Sequence, residues 1–297
     1  MTFPVIHSTL DPQALTKEIG ARYDLGQPIR CQLMSRANND FYEVNAGPSR
    51  YALRVAKADF RSGEEYAFEA GYVHHLYENG CAVPAPVPAK DGDLFFEVDA
   101  PEGVRAITLM RWIDGQNLTK ALTAEDAKNS GAALARLHQA GRSFYTAHSR
   151  DIDTIDILKE RMPDLLTMLD HDLEHRDFYE MATEKVKEAL RGIAGRSVRR
   201  GAVHGDFQFA NIMKTGDGSI AVLDFDTCGI GYLAEDLFTF VWRSDMEIKN
   251  ESINEAFLAG YESVNPLTPD EKENCALFRV ARDLVMSSTF AILINRV

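Results

Sequence analysis

Three residues stand at a spacing that can do chemistry: Asp206 in Val203-His-Gly-Asp-Phe-Gln-Phe-Ala-Asn, Asn211 five positions on, and Asp224 closing Ile220-Ala-Val-Leu-Asp. An apolar run delivers Asp206 into a loop. Asn211 precedes a second apolar pair, Ile212-Met213, and a Gly-Asp-Gly turn leads into a strand that ends on Asp224. Phosphoryl transfer from ATP needs these groups: one carboxylate to orient the acceptor hydroxyl, then an amide oxygen and a second carboxylate to hold Mg²⁺. An isolated D-x-x-x-x-N is a weak signal, and a β-hairpin with polar residues at its turn is the bland alternative. Two elements at matched spacing, each with a strand-loop context, make a strong one. Asp226, two residues past Asp224 on a strand end, is expected to point the same way. It would share the metal or bind an amino group on the acceptor.

These residues need elements to carry them. Asp11-Pro12 with Leu15, Ile19 and Tyr23 predicts an N-capped helix stopped near Gly26. Ile29–Met34, Phe41–Val44 and Tyr51–Val55 read as three antiparallel strands, with Ser35–Asp40 as the turn between the first two. A helix is expected from Gly63 to Asn79-Gly80, with Phe68, Tyr72, Val73 and Leu76 on its apolar face. Prolines hold Val83–Pro88 extended, and Asp93–Val98 and Ala106–Met110 follow as strands. Near residue 114 the composition turns from strand-rich to helix-rich, so the expected division is 1–113 and 114–297. Thr123-Ala-Glu-Asp126 opens a helix through His138, whose expected role is packing. Amphipathic helices are expected over 164–173, 178–190, 251–264 and 270–293. The Arg196–Arg200 cluster reads as a solvated turn.

Composition bounds the function. With 297 residues, 45% of them hydrophobic, there is material for a large core. That favours one two-lobed unit or two small domains. A formal charge of −13 argues against a nucleic-acid partner. Cys31, Cys81, Cys228 and Cys275 form no C-x-x-C pair, and neither a signal peptide nor an apolar membrane span is visible. The expectation is a cytoplasmic protein in a reducing compartment.

His204-Gly-Asp206, Asn211 and Asp224-Phe-Asp226, with Asn39-Asp-Phe-Tyr42 and Ala52-Leu-Arg54 upstream, resemble the aminoglycoside phosphotransferase and choline kinase-like family. The Asp-Phe-Asp-x-Cys-Gly run is most similar to the type II homoserine kinase and stress-response kinase branch. The resemblance covers nearly the whole chain. It implies an α+β, bilobal protein kinase-like fold, with an antiparallel-sheet N-lobe, one main helix and a mostly helical C-lobe. It also implies an ATP- and Mg²⁺-dependent phosphotransferase acting on a hydroxyl of a small molecule such as an amino alcohol, aminoglycoside or sugar. The alternatives are a Ser/Thr protein kinase of the stress-response type and a non-catalytic nucleotide-binding module.

The resemblance also distributes roles. Asp206 is the catalytic residue, and Asn211 and Asp224 are the metal ligands. Arg54 stands in the place of the kinase lysine. Lys57 competes with it, but strand parity turns Lys57 to the other face. Glu69 is the partner of Arg54, with Glu65 as fallback. Ser35 and Asn39 are phosphate contacts on a turn that is not glycine-rich. Leu109, Met110 and Trp112 lie along the purine in the Leu109–Gly115 segment, whose Arg111–Gly115 part is the expected linker. Asp236 is read as support for the catalytic loop, with a direct acceptor contact as the alternative, and Gln208 and Asp226 as acceptor contacts or supporting groups.

Overall fold

The structure is a computed structural model describing residues 3, 5–37 and 39–295. Met1, Thr2, Pro4, Asn38, Arg296 and Val297 lie outside the described residues, Asn38 being within the turn expected over 35–40. The fold is α+β and divides into two compact units: residues 1–114 with 144–150, and 115–143 with 151–297.

In the first unit, α1 (Pro12–Arg22) begins where the Asp11 carboxylate accepts from Gln13 N, with proline at the first helical position. Strands β1 (Ile29–Arg36), β2 (Asp40–Ala46), β3 (Ser49–Val55), β4 (Phe96–Ala100) and β5 (Gly103–Arg111) form one antiparallel sheet in the order β1-β2-β3-β5-β4. Tyr42, Val44 and Ala46 alternate inward along β2, as a half-buried strand requires. Tyr42 and Val44, with Leu53, Val55, Ile107 and Leu109, build a core with Leu15 and Ile19 of α1 and Tyr23 just beyond it. The β1 strand runs past the expected Met34 to Arg36, because a bulge between Leu33 and Ser35 keeps it paired with β2. Ser35 is therefore a strand residue and not part of a turn.

Helix α2 (Gly63–Glu78) starts from a Ser62–Glu65 capping box and buries Phe68, Tyr72, Val73 and Leu76. Residues 144–150 belong to this unit although residues 115–143 of the other come before them in sequence. Phe144 stands edge-on to Phe68 with ring centroids 5.4 Å apart.

In the second unit, α3 (Ala124–Gly141) packs on α7 (Glu251–Glu262). Their approach is close enough that a Cβ on Gly131 would stand 2.0 Å from Phe257 O, and one on Gly260 1.9 Å from Lys128 O. Only glycine fits either place. Helix α4 runs Thr154–Met168 with Pro163 inside it, and α5 runs Leu173–Ile193. The expected 178–190 helix lies within α5, whereas the expected 164–173 helix runs across the end of α4 to the first residue of α5.

Strand β7 (Arg200–Val203) leads into the Asp206 loop. Strands β8 (Ile212–Lys214) and β9 (Ile220–Val222) form a hairpin, joined on β8 by the short β6 (Gln116–Asn117), and β10 (Gly229–Tyr232) returns to pair with β7. Helices α6 (Leu233–Glu247), α8 (Pro269–Glu273) and α9 (Cys275–Asn295) complete the unit. Among the described residues no helix is long and apolar enough to cross a membrane.

Candidate active site

The Asp206 loop hangs from one buried carboxylate. Asp236, in the first turn of α6, is fully buried and accepts from His204 N and Gly205 N, both at 2.7 Å. His138 Nε2 donates to the same carboxylate at 3.1 Å. With that nitrogen protonated, His138 Nδ1 accepts from the Tyr261 hydroxyl at 2.8 Å, and Asn265 Nδ2 donates to the Tyr261 oxygen. Burial works against the Asp236 charge, but the bonds from His138 and the His204 N–H overcome it and hold the carboxyl below the usual range. Gly205 turns the chain at φ +81°, and a Cβ there would meet Thr227 O at 2.2 Å. The glycine of His-Gly-Asp is therefore a steric necessity.

His204 ties the two loops of the motif together. Its Nε2 donates to Leu223 O at 2.8 Å, just ahead of Asp224, and its Nδ1 accepts from Asp206 N at 3.2 Å. Leu223 N donates to Asn211 O at 2.8 Å. The imidazole packs on Phe225 with ring centroids 4.5 Å apart.

Asp206 is held from three sides. Asn211 Nδ2 donates to its backbone oxygen (3.0 Å) and to Oδ2 (3.1 Å), and Gln208 Nε2 donates to Oδ2 (2.9 Å). Arg282 of α9 donates to Oδ1 at 2.5 Å and to Gly205 O at 3.3 Å. Gln208 Oε1 and Arg282 Nε, both buried, have no hydrogen-bond partner among the described residues.

Asn211 directs its amide nitrogen at Asp206, which leaves the amide oxygen for a metal. Asp224 is exposed and left-handed, at φ +62°. It lies beyond the end of β9, so the strand parity expected to align it with Asp226 does not apply. Asp226 sits in the following turn and is partly buried. An amide oxygen and an exposed carboxylate are hard donors that suit a small divalent cation.

In the first unit, Arg54 on β3 and Glu69 on α2 meet in a buried ion pair, Nη1 to Oε1 at 2.5 Å. Arg61, which the sequence did not single out, donates to Glu69 Oε2 at 2.8 Å. Glu65, the fallback partner, instead serves the α2 capping box and lies 3.7 Å from Arg150. Lys57 is exposed.

Asn39 is buried beside β2, whereas Ser35 is exposed on β1. Leu109 buries its side chain in the core, and its carbonyl accepts from Val87 N at 2.8 Å. Met110 is partly buried. Arg50 covers the Trp112 ring, 3.9 Å from guanidinium carbon to ring centroid, and Trp112 Nε1 donates to Asp114.

An antiparallel sheet unit with a buried cation–glutamate pair, and a helical unit carrying an anchored Asp-x-x-x-x-Asn loop, define a kinase-like architecture. The family model described as a phosphotransferase enzyme family matches residues 31–274. The chain belongs to that family, whose members are kinases with an alcohol group as acceptor. It is 31% identical to an uncharacterised protein of Deinococcus radiodurans, over 95% of this chain and 83% of that one. It is 29% identical to a homoserine kinase of Neisseria meningitidis serogroup B, over 84% of this chain and 79% of the relative. Among solved structures, the amicoumacin kinase hAmiN in complex with AMP-PNP, Ca²⁺ and Ami superposes with a TM-score of 0.77. The identity is 18%, covering 96% of this chain and 87% of that one.

Proposed function

We propose that this protein transfers the γ-phosphoryl group of ATP to a hydroxyl of a small molecule. The observation that carries the reading is the anchoring of Asp206: a carboxylate fixed on both oxygens, on a loop suspended from a second, buried carboxylate. Asp206 accepts the proton of the acceptor hydroxyl as the new O–P bond forms. The bond from the γ-phosphorus to the β,γ-bridging oxygen breaks, and ADP leaves with that electron pair. Because such a transition state is loose, positioning and charge compensation supply most of the rate.

Arg54 neutralises charge on the α- and β-phosphates, and Glu69 and its second partner Arg61 fix the guanidinium in orientation. A planar guanidinium can hold two phosphate oxygens at once, so arginine serves in place of lysine. Asn211 and Asp224 would hold Mg²⁺, which supplies charge neutralisation to the phosphates when bound. The acceptor of the Neisseria relative is homoserine by its name.

The test is Asp206→Ala. ADP release in the presence of an acceptor should fall about 10²- to 10⁴-fold, while the affinity for a fluorescent ATP analogue stays within about twofold. Undiminished turnover rejects the assignment.

A further inference from the structure

Next to the Asp206 loop, inside the second unit, lies a cavity of about 50 Å³ whose wall includes Gly205 and Arg282. Most of its lining is apolar, from Ile152, Val203 and Phe278 among others. The charged groups in the wall are Glu235 on α6 and Arg282 on α9. Glu235 immediately precedes the Asp236 that carries the loop. Thr154 Oγ1 donates to its Oε1, and among the described residues no cation lies within ion-pair distance of it.

The groups facing Glu235 do not favour its charge. Burial acts first, Asp236 beside it and Asp153 at the start of α4 add like charge, and Arg200 on β7 opposes them only partly. The result is a carboxyl pushed up to about 7. A half-ionised carboxyl in an apolar wall costs stability unless something completes it, and a leucine or methionine would pack there without that cost. A perturbed carboxyl in a cavity walled by Gly205 of the catalytic loop and by Arg282, which bonds Asp206, has the mark of a binding group.

We propose that this cavity is the acceptor's specificity pocket, and that Glu235 is its specificity-determining residue, pairing with the primary ammonium of a compact aliphatic alcohol. The inference rests on the phosphotransfer reading and names the acceptor class for it. One water needs about 10–15 Å³ of such volume, so the cavity takes a group of roughly three to five heavy atoms. An aminocyclitol ring does not fit within it. The apolar wall packs the methylenes, and Arg282, which bonds Asp206 with one nitrogen, ties the pocket to the catalytic loop. Ionised Glu235 is the form that binds an ammonium, so affinity for the amine falls as pH drops through about 7.

The experiment compares 3-amino-1-propanol with 1,3-propanediol as acceptors, by ADP release, in wild type and Glu235→Gln. Expected is at least a tenfold preference for the amine in kcat/KM. Its KM should rise at least tenfold in Glu235→Gln and between pH 8 and pH 6 in wild type, while the diol's KM moves less than twofold in both. Equal use of amine and diol by wild type, or equal loss of both in the variant, overturns the proposal. Binding of n-propylamine, which has no hydroxyl to phosphorylate, is followed separately by saturation-transfer NMR on wild type at the two pH values. Absence of that binding overturns the pocket whatever the enzyme phosphorylates. Amine binding without transfer overturns its role for the acceptor, and the Asp206→Ala comparison then judges phosphotransfer by itself.

Discussion

Glu235 and Asp236 are adjacent carboxyls at the start of α6 with opposite treatment. Asp236 receives two backbone N–H groups and His138 and stays charged, while Glu235 receives one hydroxyl and is pushed up to about 7. The stability consequences have opposite signs. The unfolded chain ionises Glu235 near 4.5, below the folded value, so its contribution is lost as pH rises from about 4.5 to 7. Glu235→Gln should therefore stabilise the chain at pH 8, by at most about 3 kcal/mol, and leave it unchanged near pH 4. Thermal melts at the two pH values check this. Asp236 contributes above the ordinary aspartate range and loses that contribution as pH falls below it. Asp236→Ala orphans two buried N–H groups and His138, and should cost about 3–5 kcal/mol by urea unfolding.

The same scale shows what sequence could reveal. Asp236, Asn211 and Asp206 stand in a motif; Arg282 does not, and reaches Asp206 across 76 positions. Its one signal was an arginine in register with Phe278, Ala281 and Val285 of an otherwise apolar helical face. The basic run Arg196–Arg200, read as a solvated turn, is exposed at Arg196 and Arg200, whereas Arg199 turns inward to pair with the buried Glu271.

At the scale of elements, the α3–α7 contact matters because His138 and Tyr261 sit on its two sides and support Asp236. Gly131→Ala would drive a methyl into the backbone of α7, a collision no rotamer relieves. We expect a loss of about 2 kcal/mol or more from the forced separation. Turnover should fall beyond what the fraction unfolded explains, measured as kcat at a temperature well below the melt. Sequence placed α1, α2 and α3 well, since each begins at a side-chain cap legible in one dimension: Asp11, Ser62 and Thr123. It misplaced α4 because Pro163 is tolerated inside the helix. It misjudged the geometry around Asp224 because a left-handed residue after a short strand leaves no periodic trace.

At the scale of the whole molecule, the chain passes from one compact unit to the other at three places in sequence: after 114, after 143 and after 150. Residues 144–150 are part of the first unit's own packing, where Phe144 meets Phe68, Tyr72 and His75. The fragment 1–114 lacks them and should bind more of a hydrophobic dye, and melt lower, than the same fragment carrying 144–150 on a flexible linker. The long reach from Asp206 to Arg282 has a further consequence during synthesis. At about 5–20 residues per second, the ribosome adds those 76 residues in roughly 4–15 s. Throughout that interval the nascent chain carries the loop without the arginine that anchors it, and at first without Asp236 as well, so the carboxylate is made well before it can be set in place.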